Sequence, residues 1–156
     1  KLFKLLNDNK ESGLAVKLGA IPMNENEVKV FSLEEANALL PLLTELIHRL
    51  QSKREEVADI EVQVDALELV SDHESNAQAQ ETEHLVAKHR RLVGEVYEIV
   101  DEIHSYGCFL KDADLGLIDF YGVVEEHIVY LCWHLGEGQI TFWHEIGQGY
   151  TARQPL

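Results

Sequence analysis

Along the middle of the chain, apolar residues recur at Ala36, Leu40, Leu43, Ile47 and Leu50 in alternating steps of four and three. They resume at Val57, Ile60, Val64 and Leu67 after a polar gap at Lys53 and Arg54. This spacing keeps one face of an α-helix apolar, so it predicts a long helix with a single slip near residue 53. Its start is marked by Ser32 and Glu35, a capping box in which each side chain can bond the other residue's amide. Pro41 cannot donate to the carbonyl of Asn37, which predicts either a kink or a short helix followed by a longer one. After a polar link at 71–76 a second run follows at Leu85, His89, Leu92, Val96, Ile99, Ile103 and Tyr106, and Gly107 supplies a stop. Two long helices joined by a short link predict an antiparallel hairpin.

Beyond Gly107 the period changes to two, with strands expected at 117–120, 128–135 and 140–146, rich in Val, Ile, Tyr, Phe and Trp. A three-residue loop at Gly136-Glu137-Gly138 would set Leu135 opposite Gln139, Leu131 opposite Trp143 and Tyr130 opposite His144. One side of that hairpin then carries Val129, Leu131, Trp133 and Trp143, a packing face for the helices. The predicted fold class is α+β: a long antiparallel helical hairpin (31–106) packed on a small C-terminal antiparallel sheet of two to three strands (107–156). Together these form one domain, 31–156. Residues 1–30 show neither period and read as an extension, with Met23 a possible start within it.

The chain has 156 residues and a formal charge of −15. By region that charge is +1 over 1–30, −11 over 31–110 and −5 over 111–156. So acidic a surface argues against nucleic-acid and anionic-membrane partners, which need basic patches. No run approaches the roughly 18 apolar residues of a membrane span, and Lys4 breaks the only apolar start, so no signal peptide is read. Two cysteines far apart, Cys108 and Cys132, read as reduced, buried thiols of a cytoplasmic protein.

The most conspicuous motifs are the acid-x-x-His pairs Glu45/His48, Glu81/His84 and Asp101/His104, the spacing that builds di-iron sites in helical bundles. Periodicity turns all of them outward, so they are expected to be solvated. His89 lies in the helical seam and reads as a hydrogen-bonded core histidine. His134 and His144 share a sheet face but lie about 13 Å apart at roughly 3.3 Å per residue, too far for one metal. Cys132 and His144 are diagonal neighbours there, a weak metal pair without a third ligand. Motifs of the common nucleotide, protease and esterase chemistries are absent. What remains is a polar set of Lys111, Asp112, Asp119, Trp133, Glu137, His144, Glu145 and Arg153. Lys111 and Arg153 are the only lysine or arginine among seven acids after residue 110, so each should have a carboxylate partner.

The stretches Gly107-Cys-Phe-Leu-Lys-Asp-Ala-Asp-Leu-Gly-Leu-Ile-Asp-Phe120, Val129-Tyr-Leu-Cys-Trp133, Leu135-Gly-Glu137, Phe142-Trp-His-Glu145 and Gly149-Tyr-Thr-Ala-Arg-Gln-Pro-Leu156 resemble a bacterial family known as domain of unknown function 2203. The helix opening from Phe31 to Pro41 is similar too, so the resemblance covers 31–156. It implies a helical hairpin with a strand region and no assigned activity or cofactor. By motif match it singles out Lys111, Asp112, Gly116, Asp119, Trp133, Glu137, His144 and Arg153. The chain departs from the family in having Tyr121 after Phe120 where a proline is usual, and His134 after Cys-Trp where an arginine is common.

Two functions are expected from this reading. One is a non-catalytic interaction or scaffold protein acting as a homodimer, because two such helices have more apolar surface than a small sheet covers. The other is a small-ligand- or metal-binding domain, enzymatic or not, with Lys111, Asp119, His144 and Arg153 converging at the helix–sheet junction.

Overall fold

The capping box forms as read: the Glu35 amide donates to Ser32 Oγ at 3.1 Å and the Ser32 amide to Glu35 Oε2 at 2.8 Å. The Ser32 amide, and with it the Ser32 hydroxyl, holds the Glu35 carboxyl below its usual range. The capping box opens helix α1 (Leu33–Val70), which is followed by α2 (Asn76–Ser105) in a computed structural model that describes residues 28–70 and 76–156. The extension up to residue 27, Met23 in it, and the polar link at 71–75 lie outside the described residues. Helix α1 runs through Pro41 without dividing. The proline sits on the exposed side, while Leu40, Leu43, Leu46 and Ile47 beside it are buried, and their packing offsets the one lost amide bond.

The hairpin is antiparallel: Arg49 pairs with Glu102, Lys53 with Glu95, and Glu61 with His89. The expected seam is buried between the helices, including Val57, Ile60, Val64, Leu92, Val96 and Ile99. His89 is the hydrogen-bonded seam histidine, 3.2 Å from Glu61 Oε1. Glu45, His48, Glu81, His84 and Asp101 are exposed as periodicity required. His104 is not: it is half-buried, its Nε2 accepts from the Leu110 amide at 3.4 Å, and burial lowers its pKa. A strand that the sequence pattern did not reveal crosses this end of α2 and covers it. Among the described residues, no helix is long and apolar enough to cross a membrane.

That strand is the first of five, not two or three: β1 (Phe109–Asp112), β2 (Leu117–Val124), β3 (His127–His134), β4 (Phe142–His144) and β5 (Gln154–Pro155), paired antiparallel in sequence order. Strands β1 and β5 are too short to show alternation. Strand β2 outruns its expected end because the β2–β3 turn uses Glu125 and Glu126, both left-handed at φ 48° and 68°, without the usual glycine or asparagine. The expected β3–β4 register holds, with Leu131 opposite Trp143 and Tyr130 opposite His144. The tight loop does not, so Leu135 and Gln139 stay outside the ladder. Instead the Ile140 amide donates to Asn37 Oδ1 at 2.8 Å, drawing the loop toward α1.

Ile118, Phe120, Val129, Leu131 and Trp133 are in the core shared with the helices. Strand alternation therefore turns Asp119, Tyr130 and Cys132 to the other face. Gly116, in the β1–β2 turn, has φ +63°, and a Cβ there would stand 2.6 Å from Leu135 Cβ and 3.2 Å from Ile47 Cγ2. Its carbonyl accepts from the Leu135 amide at 3.0 Å. Gly116→Ala should cost roughly 2–4 kcal/mol in denaturant unfolding, from a strained backbone and an overfilled contact. Gly136→Ala, at φ +99° with no atom within 4 Å, carries only the backbone part and should cost less.

Candidate functional site

Three strands deliver three side chains to one point on the sheet face turned away from the helices. Asp119 of β2 is the direct cross-strand partner of Cys132 of β3, and His144 of β4 lies opposite Tyr130, two residues before Cys132. One ligating atom from each of Asp119, Cys132 and His144 lies within 4.8 Å of the other two. All three residues are at most 2 % exposed. His144 Nδ1 is 3.0 Å from the Glu145 carbonyl, which can only accept, so Nδ1 carries the proton. Nε2 then faces Asp119 Oδ2 at 3.2 Å.

Burial raises the Asp119 carboxyl, against the pull of His144, Cys132 and Lys111. Burial, helped by the Asp119 charge, pushes the Cys132 thiol up to about 12, with Arg153 pulling the other way. A thiol so held is no activated nucleophile.

Two cations flank the trio. Lys111 stands at a bulge where the β1–β2 register shifts between Leu110 and Asp112, a device that aims a side chain off the regular ladder. Its Nζ is 3.9 Å from Asp119 Oδ2 and lies over the Tyr130 and Phe109 rings, 4.6 and 5.4 Å from their centroids. Arg153 follows a 3-10 turn, Tyr150–Ala152, and donates to Glu137 Oε1 at 2.9 Å. Its guanidinium lies over Phe142 and Tyr150, 4.5 and 4.1 Å from their centroids. The expected carboxylate partners of the two cations are thus Asp119 and Glu137.

The sequence profile of a family described as "Uncharacterized conserved protein (DUF2203)" matches residues 29–156, which span the hairpin and the sheet together. The chain belongs to this family. No curated protein and no solved structure matches it.

Of the residues singled out in this DUF2203 chain, Lys111, Asp119, Cys132 and His144 are in direct contact. Arg153 joins through Cys132, and Glu137 holds Arg153. Three others serve the frame. Asp112 Oδ1 accepts from the amides of Asp114 and Leu115, which fixes the β1–β2 turn. Trp133 is buried on the helix side, its Nε1 donating to the Glu137 carbonyl at 2.8 Å. Gly116 is required by a close approach. Tyr130, Phe109 and Tyr121 were missed. Tyr130 sits two residues before Cys132, so strand alternation alone places it beside the trio, whereas Phe109 and Tyr121 need the unseen β1 and the β2–β3 turn.

Glu137 does two jobs, since its Oε2 also accepts from the His134 amide at 2.9 Å. Replacing it, Glu137→Ala, removes the carboxylate partner of a largely buried guanidinium and the acceptor of the His134 amide. It should lower the free energy of unfolding by about 1.5–3 kcal/mol in urea titration, the scale of a lost hydrogen bond to a charged group.

Proposed function

We propose that the protein binds a divalent metal of the zinc class through Asp119, Cys132 and His144. The observation carrying this reading is the meeting of carboxylate, thiol and imidazole in a buried site. Freed of their protons, the three facing atoms are all electron-pair donors, and a cation between them satisfies all three at once. Tetrahedral zinc bonds of about 2.0–2.3 Å imply ligand separations of about 3.3–3.8 Å, so the set closes with shifts of about 1 Å or less. The hydrogen bond from His144 Nδ1 to a backbone carbonyl is the outer contact that metal-bound histidines usually have, and it leaves Nε2 free to ligate. Oxygen, nitrogen and sulfur donors together favour zinc over magnesium or calcium. Three protein ligands leave one coordination position open, as in catalytic zinc sites.

Elemental analysis of the purified full chain should find about one zinc per chain, and cobalt substitution should give a thiolate-to-metal charge-transfer band. Cys132→Ser and Asp119→Asn should each cost more than the roughly 10–100-fold loss typical of an outer-contact mutation. Cys108→Ser, at the other buried cysteine, should leave affinity unchanged. A folded wild-type chain that takes up neither zinc nor cobalt removes the reading.

A second reading, a self-associating scaffold, draws on one feature. The seam is satisfied within one chain, yet Val62, Leu69 and Tyr97 remain exposed on the hairpin, and Tyr97 lines a groove of about 610 Å³ in which Val57, Val93 and Val96 stand among charged residues such as Arg54 and Glu61. Light scattering should then report a mass of two chains, falling on Tyr97→Glu. A monomer mass at every concentration removes this reading.

A further inference from the structure

The charges around the trio balance only for the metal-free state. Asp119 is then the counter-ion of Lys111, and Glu137 that of Arg153. A divalent ion that takes the Asp119 carboxylate and a Cys132 thiolate makes a neutral ligand set and removes the one carboxylate within ion-pair reach of the lysine. Among the described residues, no other acid forms an ion pair with Lys111. Its remaining contacts are the faces of Tyr130 and Phe109, which hold an ammonium in place without neutralising it. The site then carries one net positive charge beside an open coordination position.

Resting on the metal reading above, we infer that the open position takes a small oxyanion, bound by the metal and by the Lys111 ammonium together. Three features of the geometry support this. The Lys111 side chain is 35 % exposed while the trio is closed to solvent, so the lysine stands on the accessible side of the site. The bulge aims it at the same carboxylate oxygen that His144 Nε2 faces, so an anion replacing that contact lies next to the ion. Arg153 is unsuited to the role because Glu137 and two rings already occupy its guanidinium. The ligand class is a carboxylate or phosphate group on a small molecule. The net charge of −15 repels polyanions, yet beyond about 8 Å it is largely screened at physiological ionic strength, so a small anion at the site feels the lysine and the metal first.

The test uses the full chain loaded with cobalt(II), titrated separately with acetate and with inorganic phosphate while the visible ligand-field bands are followed. Cobalt uptake is read first, so failure of the metal reading shows before any anion is added and overturns this inference with it. With cobalt bound, a saturable band shift is expected. Acetate alone identifies carboxylates, phosphate alone identifies phosphates, and either supports the inference. Lys111→Met should weaken the anion by about ten- to a hundredfold, the scale of a hydrogen bond to a charged group. The same change should leave cobalt affinity equal or higher, since it removes a competing cation. Bands indifferent to both anions at millimolar concentration, or an unaltered anion response in Lys111→Met, overturn the inference.

Discussion

Everything at the site depends on the unslipped register of β2 against β3, eight residue pairs from Leu117↔His134 to Val124↔His127. Side chains alternate along a strand, so a slip of one residue would exchange the two faces completely. Ile118, Phe120, Leu131 and Trp133 forbid that slip, because exposing them would forfeit roughly 1.5–3 kcal/mol each. The apolar core thus fixes where the polar residues go. Asp119 meets Cys132 because their neighbours must meet the helices, and His144 follows from the in-register pairing of β4. The cost of burying a carboxyl and a thiol together is borne by the same packing.

The electrostatic picture has two scales. Most of the negative charge lies on the outward faces of the hairpin, where Lys53, Arg49 and Arg91 form partly exposed pairs with glutamates that contribute little each. In the sheet, two cations are held against four aromatic rings, and burial there makes each charge count for more than on the hairpin. The chemistry of the C-terminal third is therefore set locally, by Lys111 and Arg153, in a molecule whose average field has the opposite sign.

The helices were legible because their apolar spacing persists over many turns, and even the seam position of His89 followed from it. The β3–β4 register was reached from a three-residue loop at 136–138; the connection is longer than that, yet the same register holds because it keeps Leu131 and Trp143 on the helix side. Strands β1 and β5 were not legible, because four and two residues cannot show a period, and His104 was misplaced for that reason alone. The β2–β3 turn was hidden by its residues: Glu125-Glu126 lacks every turn preference, and its left-handed backbone is imposed by the strands on either side. Without that turn Asp119 could not be set opposite Cys132. The charged members of the site could be found by asking where the cations collect, but the trio that Asp119 completes could not.

The two flanks of the site are secured differently, and the difference follows from what each is tied to. On the Lys111 side, the β1–β2 turn is fastened to α1: Gln51 donates to the carbonyls of Ala113 and Asp114, and Arg54 pairs with the Asp114 carboxylate. A helix whose inner face is buried in the core supports that turn, so the lysine projects from a firmly fastened base. On the Arg153 side, the covering segment at 145–156 is mostly exposed. It is held by the two residues of β5, the Leu156 amide to Thr141 and the pair with Glu137. Few buried apolar contacts and a short ladder mark the segments that open at the lowest free energy. The bond from Arg153 to Glu137 therefore matters beyond its own strength, since Glu137 is itself pinned through Trp133 to the core. It is the link by which the packed interior holds closed the most weakly secured side of the site.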